Sequence, residues 1–346
     1  MPEIAEVHRA ATVVSNIGKG RKIGSCETFP DDIVFCGGTD HLAFKENVTG
    51  REVIDVKRHG KYFWLVLSGG INALLHLGMT GIVQVKGEEA LYYRKKSKDG
   101  EEWPPKWSKF IMTFGEGEEE KSIAFRDPRR LARIRIVRGD VSGCDPVRSL
   151  GFDPINNMPS FDQYLPSVTN RACPIKALLL DQKFNAGVGN WVADEILYHS
   201  AIHPERRANS LSEEEVQRLY DSTLYVCRLA VECLADHFKF PSHWLFMKRW
   251  GKGKKGDQKW KGEVKDQVGL TQIVMKDGSV GDIRWVTVGG RTSAYVVQVQ
   301  KLEGEEKGEG EDDGDEEEEE EEEKNDKRKR PDKTKKTTKK PRKSKE

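Results

Sequence analysis

The chain opens Met1-Pro2-Glu3, and the residue types at this end suit covalent chemistry. Removal of Met1, usual ahead of a residue as small as proline, leaves Pro2 as a secondary amine with the Glu3 carboxylate beside it. An α-amine titrates near about 7.7–8.0, against about 10.4 for a lysine, so far more of it is neutral at pH 7. A neutral amine attacks a carbonyl or a sugar C1′, and the adduct is a positively charged iminium that acts as an electron sink. Glu3 is placed to move protons at the same centre. Most Met-Pro starts are inert, so the pair has meaning only if the rest of the chain builds a site around it.

Several elements are available to position it. Residues 3–17 carry Ile4, Val7, Ala11, Val14 and Ile17 at helical spacing, with Gly18 as a C-cap. A β-rich stretch follows. EVIDVKRHGKYFWLVL (52–67) alternates on both sides of His59-Gly60 and predicts a hairpin, and INALLHLGMTGIVQV (71–85) adds two strands around Gly78 and Gly81. KFIMTF (109–114), SIAFRD (122–127) and ARIRIV (132–137) continue the pattern; in the last, Ala132, Ile134 and Ile136 face one way and Arg133 and Arg135 the other. Short strands with Gly and Asp turns predict an antiparallel β-sandwich of about 140 residues, making the chain α+β. The polar segment 86–107 reads as an exposed insertion.

Beyond residue 145 the pattern changes. Pro146, Pro154, Pro159 and Pro166 mark a linker over 146–172, and helices follow. PIKALLLDQ (174–182) begins with Pro at a first-turn position, and NWVADEILYHS (190–200) has Asn190 as its N-cap. Ser212 and Glu215 form a capping box for a long helix to about residue 236. Between the first two helices, Gly187 and Gly189 let the backbone approach a ligand, and the N–H groups opening the second helix favour an anion such as a DNA phosphate. A basic, Gly-rich loop (249–262) leads to a final β-unit with Gly289-Gly290-Arg291 at its last turn. The layout expected is 1–145 sandwich, 146–172 linker, 173–248 helices, 249–302 basic loop and β-unit, and 303–346 tail.

The near-neutral net charge of +1 conceals segregation. Residues 303–323 hold sixteen acids and one base, and 324–346 hold thirteen bases and three acids, which leaves about +6 on residues 1–302. A basic body fits a polyanion partner. The tail has almost no apolar residue and is expected to be disordered. Its runs KRKRPDKTKK (327–336) and KKPRKSK (339–345) suit an import receptor or nucleic acid, which points to the nucleus. Its acidic block is expected to compete with DNA for the body. The six cysteines form no C-x-x-C pair and read as reduced thiols of an intracellular protein. No apolar run approaches a membrane span of roughly 18 residues.

DQKFNAGVGNWVADEIL (181–197) resembles the helix-two-turn-helix motif of the formamidopyrimidine-DNA glycosylase family, relatives of bacterial endonuclease VIII. The Met-Pro-Glu start with Glu6, HGKY with Lys61, HLGMTG (76–81), DPRRLAR (127–133) and GGRTSAY (289–295) resemble that family in the expected order, over about residues 1–302. The resemblance implies a bifunctional glycosylase and abasic-site lyase acting as a monomer on double-stranded DNA with oxidised bases or abasic sites. In such an enzyme the damaged nucleotide is flipped out, because C1′ is inaccessible in the stack. Pro2 attacks C1′, Glu3 protonates the sugar ring oxygen, and elimination cuts 3′ and then 5′ of the lesion. Glu6 would lie close to the lesion. Lys61, Asn190 and Arg291 would hold phosphates beside it, with Lys176 nearby. Met79 would enter the vacated stack, Arg129 would read the widowed base, and Leu131 would act as a wedge.

The chain departs from the family pattern in three places. Leu131-Ala132 stands where Phe-Gly is frequent, so lesion preference or processivity is expected to differ. Val296 and Val299 occupy the C-x-x-C positions of the bacterial zinc finger, and no cysteine follows Cys233. The finger therefore resembles the zincless β-hairpin of plant- and fungal-type members, with no metal or cofactor expected and with Ile283, Trp285 and Tyr295 holding it by packing. The connection at 235–246 is short where many bacterial members carry a loop over 8-oxoguanine, so formamidopyrimidines, hydantoins and abasic sites are the expected substrates, with weaker action on 8-oxoguanine. Two other readings compete. An oxidised-pyrimidine enzyme of the same fold is opposed by DPRR. A non-enzymatic damaged-DNA or chromatin-binding protein is opposed by the intact Pro2, Glu3 and Lys61.

Overall fold

The computed structural model describes residues 2–88, 102–115, 117, 120–252, 269 and 271–302. The expectations for the tail, for most of the 86–107 insertion and for residues 253–262 of the basic loop lie outside the described residues.

Helix α1 (Ile4–Gly18) begins with a capping box, in which the Glu3 backbone N–H donates to Glu6 Oε2 at 2.9 Å. Its apolar stripe serves two cores. Ile4 and Ala5 pack with the helices of the C-terminal half, while Val7, Ala10, Ala11, Val14 and Ile17 pack with the strands of the N-terminal half. One helix thus joins both halves, and its first residues sit at the seam.

Strand β1 (Ile23–Thr28) and helix α2 (His41–Val48) precede seven further strands: β2 (Val53–His59), β3 (Tyr62–Leu67), β4 (Ile71–His76), β5 (Ile82–Val85), β6 (Ser108–Phe114), β7 (Lys121–Arg126) and β8 (Arg133–Arg138). They form two antiparallel sheets, ordered β1-β6-β7-β5 and β2-β3-β4-β8. The period-2 alternation of apolar side chains puts Phe63, Leu65, Ala73, Leu75 and Ile134 of one sheet against Phe110, Met112, Ile123 and Phe125 of the other in one core.

The helical half contains α3 (Phe161–Thr169), α4 (Ile175–Leu180), α5 (Asn190–Ser200) and α6 (Glu213–Glu232). Helix α3 corrects the reading of 146–172 as a linker. A Ser160–Gln163 capping box starts it, and Tyr164 and Val168, four apart on one face, are fully buried in the helical core despite Pro166. The prolines mark turns here, and the apolar spacing between them carries the helix. Helix α6 stops at Glu232, short of the expected residue 236, and Leu234 and Ala235 turn the chain away with φ of 51° and 55°.

The last unit is an antiparallel sheet ordered β11-β10-β9, made of β9 (Gln272–Val274), β10 (Val280–Val288) and β11 (Arg291–Val296). Ile273, Ile283, Ala294 and Val296 share a small core with Tyr198 of α5 and with Leu245, and Trp285 packs against it. Tyr295 meets the His203 ring edge-on at 4.5 Å. Among the described residues, no helix is long and apolar enough to cross a membrane.

Candidate active site

Glu3 is only 2% exposed, and its carboxylate is seated on the first turn of α5. The backbone N–H of Trp191 donates to Oε1 at 3.0 Å and that of Val192 to Oε2 at 3.1 Å. A carboxylate is favourable there because helix N-termini present unsatisfied donors and a positive dipole end. This corrects two expectations. Gly189, and not Asn190, is the N-cap, and these two donors of the helix already hold an anion, supplied by the protein itself. Glycine is required at 189, since an added Cβ would lie 2.3 Å from Glu3 Cδ. The preceding Gly187, at φ +100°, accepts the Ile4 N–H at its carbonyl at 3.0 Å. Half-buried Pro2 is thereby held beside an oriented carboxylate.

Lys61 reaches the same place from the β2–β3 turn. Gly60, at φ +57°, lies so close to the α4–α5 loop that a Cβ would be 2.8 Å from Ala186 Cβ. Asp153 clamps this turn. It accepts the Gly60 N–H at 2.7 Å and pairs with both terminal nitrogens of Arg58, Nη2 lying 3.0 Å from Oδ1. Lys61 is 8% exposed. Burial pushes its ammonium below the ordinary lysine range; the Glu3 and Glu6 carboxylates oppose that, and the Arg291 cation adds to it. Burial and the neighbouring Glu3 charge push the Glu6 carboxyl up. Pro2, Glu3, Glu6 and Lys61 therefore meet at the seam between the two halves, and the exposed Arg291 lies close enough to act on Lys61. Such a group offers an amine nucleophile, an oriented proton carrier and a buried cation for an anionic substrate.

Asn190 joins this centre to the β9–β11 sheet. Its Nδ2 donates to Thr292 O at 2.9 Å, which leaves the second amide hydrogen for a ligand. Lys176 behaves differently from expectation. It is fully buried, paired with Asp194, and donates to Asn190 O at 2.8 Å, so it positions the start of α5 and presents nothing at the surface. Asp194 is the hub: it also accepts Arg249 Nη2 at 2.6 Å and the Ala294 N–H at 3.3 Å, tying α4, α5, the segment after α6 and β11 to one carboxylate. Trp285 Nε1 donates to Arg249 O at 2.9 Å. These contacts and the apolar core hold the β9–β11 sheet in place. Sequence reasoning missed Asp194, although acidic residues between Ala193 and Ile196 on an apolar helix are a usable signal of a buried partner.

Met79, Arg129 and Leu131 occupy two loops that touch. Gly78, at φ +63°, packs against the Leu131 backbone, where a Cβ would be 2.4 Å away. The fully buried Asp127 shapes the pair of loops by accepting Thr80 Oγ1 at 2.6 Å, the Leu131 and Ala132 N–H groups at 2.7 Å each, and the Arg129 N–H at 3.2 Å. Met79 is half-buried, Arg129 is exposed, and Leu131 is 38% exposed. His76 beside them was not singled out from the sequence. Burial, with Lys61, Arg133 and Arg135 nearby, brings its pKa down to about 4. Its Nδ1 accepts the Gly78 N–H at 3.0 Å, which leaves Nε2–H as a neutral donor.

Known proteins resemble this chain in sequence and fold. Residues 1–134 match the formamidopyrimidine-DNA glycosylase N-terminal domain, and residues 150–242 match the formamidopyrimidine-DNA glycosylase H2TH domain. A formamidopyrimidine-DNA glycosylase of Arabidopsis thaliana is 35% identical over 307 residues, covering 88% of this chain and 72% of that protein. One from Thermus thermophilus is 35% identical over 184 residues, 53% of this chain and 61% of its own. The Lactococcus lactis enzyme, solved non-covalently bound to DNA containing an AP site, is similar in fold, with a TM-score of 0.64 at 20% identity over 87% of this chain and 100% of that one. Both halves of the body correspond to domains of a single family, and the Arabidopsis relative extends that match over most of both chains. The chain belongs to the formamidopyrimidine-DNA glycosylase family.

Proposed function

We propose that this family member, a DNA glycosylase of base excision repair, is bifunctional: it removes oxidised purines and then cleaves the abasic site as a lyase. The observation that carries the reading is the seating of Glu3 on α5 beside Pro2, with Lys61 buried at the same seam. After Met1 is removed, the Pro2 nitrogen attacks C1′ of a nucleotide flipped from the duplex. The bond to the damaged base breaks, the ring-opened sugar becomes an iminium of Pro2, and the adduct acidifies the C2′ hydrogen. Loss of that proton expels the 3′ phosphate, and a second elimination expels the 5′ phosphate. Glu3 carries the proton to the ring oxygen; its orientation by two N–H donors keeps it in reach of the centre.

Lys61, Asn190 and Arg291 hold the phosphates that flank the flipped nucleotide, and Glu6 lies close to the lesion. Met79 fills the vacated stack, Leu131 wedges beside it and Arg129 faces the widowed base. Formamidopyrimidines, hydantoins and abasic sites are the substrates, and the basic tail directs the protein to the nucleus.

Borohydride trapping on duplex DNA with an abasic site tests the mechanism. The expected result is one covalent adduct that maps to Pro2. Absence of an adduct from protein with a free Pro2 amine, still binding the duplex, would favour a damaged-DNA-binding protein. Matched-duplex excision rates test the lesion preference, which fastest action on 8-oxoguanine would overturn. Removal of residues 324–346 should release a fluorescent fusion from the nucleus, and unchanged nuclear retention would refute the targeting assignment.

A further inference from the structure

The geometry points to a second phosphate-holding track, formed by Arg133 and Arg135 on the outer face of the β2-β3-β4-β8 sheet, whose occupant is the backbone of the duplex that enters the active site. It rests on the glycosylase reading above, because that reading puts DNA against the adjoining Lys61 turn.

The strand register carries the inference. His59 pairs with Tyr62, Tyr62 with His76, and His76 with Arg133, so one row of side chains crosses the whole sheet at the end that bears the Lys61 turn. In the next outward row, Lys57 pairs with Trp64, Trp64 with Leu74, and Leu74 with Arg135. Ile134, which is fully buried, points into the sandwich core between the two arginines, so the pleat sends both guanidinium groups outward. With strands about 4.8 Å apart, β8 lies roughly 10 Å from β3, a distance that successive backbone phosphates of one strand span at 3.4 Å of rise each.

The charge pattern agrees. Other arginines in and near this sheet are already engaged: Arg58 with Asp153, Arg130 with Asp31, and Arg148 with Asp145, while Arg138 donates to Asn47. Arg133 and Arg135 are not paired with a carboxylate among the described residues; Arg133 Nη1 donates only to the neighbouring Ala132 carbonyl at 2.7 Å. His76 between them and Lys61 stays neutral near neutral pH, so it adds a hydrogen-bond donor to the track without competing for it. Val141 and Val147 pack on Trp64 and Leu74, which lie in Arg135's own row, so the basic strip that stays open is the β8 edge with its two part-exposed arginines.

The test is the salt dependence of binding to a duplex carrying a tetrahydrofuran abasic-site analogue, measured for the full chain and for R133A/R135A. Two lost phosphate contacts should lower the slope of log K against log salt by about 1.8. The single-turnover rate on saturated enzyme and the yield of the Pro2 adduct should stay at the level of the unchanged protein. R133K/R135K should recover most of the slope, whereas R138A/R148A, whose arginines are already engaged, should leave it unchanged. An unaltered slope in a folded R133A/R135A protein overturns the track. If the unchanged protein itself neither binds this duplex nor traps on an abasic site, the glycosylase reading fails first and the track falls with it.

Discussion

Gly189→Ala isolates the seating of Glu3 from every other feature of the site. Gly189 has φ −126° and ψ −158°, extended backbone that alanine adopts without strain. Its new Cβ would lie 2.3 Å from Glu3 Cδ and 2.6 Å from both Cγ and Oε1, so the side chain that must move is Glu3. Displacement breaks the bonds from the Trp191 and Val192 N–H groups, each worth about 1.5–3 kcal/mol as a hydrogen bond to a charged group. The carboxylate recovers part of that by turning toward the solvated cleft, and overpacking adds about 1–3 kcal/mol. We expect a net destabilisation of about 2–4 kcal/mol, and a loss of about 10²-fold or more in the chemical step, the value of a positioned proton carrier. Single-turnover strand cleavage with enzyme in excess reads the chemistry, and binding of the tetrahydrofuran duplex reads the site. The rate should fall to the level of Glu3→Gln, while affinity changes by less than about tenfold. A folded Gly189→Ala protein that cleaves within about threefold of the unchanged one would refute the link between this seat and catalysis.

Other perturbations probe the supporting structure. Asp194→Asn leaves Lys176 and Arg249 without their buried counter-charge, and breaking such a pair costs about 3–5 kcal/mol. Faster hydrogen exchange across β10 and β11 and weaker duplex binding should follow, and unchanged exchange there would show that the apolar core alone holds the β9–β11 sheet. The Lys61 pKa lies below the ordinary lysine range through burial, so its charge is complete at low pH and is lost first as pH rises toward that range. Duplex affinity should therefore fall with rising pH earlier than for Lys61→Arg, and parallel profiles would contradict the assignment. For Glu6 the folded pKa is raised, so the folded protein binds more protons than the unfolded chain between the ordinary carboxylate value and the raised one, and stability falls as pH rises through that window. Glu6→Gln should abolish that fall and melt higher than the unchanged protein at pH 7 but not at pH 4, and equal melting differences at both would exclude it.

Much of the fold is legible in the chain itself. The alternation in 52–67 and 71–85 places β2 to β5, and the pleat of ARIRIV separates its arginines from its isoleucines, because strand orientation is a local property of successive residues. The motifs around Pro2, Lys61 and Asn190 resemble those of the family in residues and order, and the family matches agree with that resemblance. Tertiary structure decided what lies across the seam. The donors that seat Glu3 are 188 and 189 residues away, and Asp153 clamps the Lys61 turn from more than 90 residues away, distances over which no periodicity operates. Asn190 looks like a cap because its type favours one, yet a carboxylate delivered by α1 takes the position through better electrostatics at a helix N-terminus. Lys176 looks like a surface cation, but the fold turns it inward, where Asp194 compensates its burial. Residue type and spacing determined which elements form and what chemistry they suit; the packing of α1 between two cores decided which polar groups meet, because a buried charge is stable only beside partners that other parts of the chain bring to it.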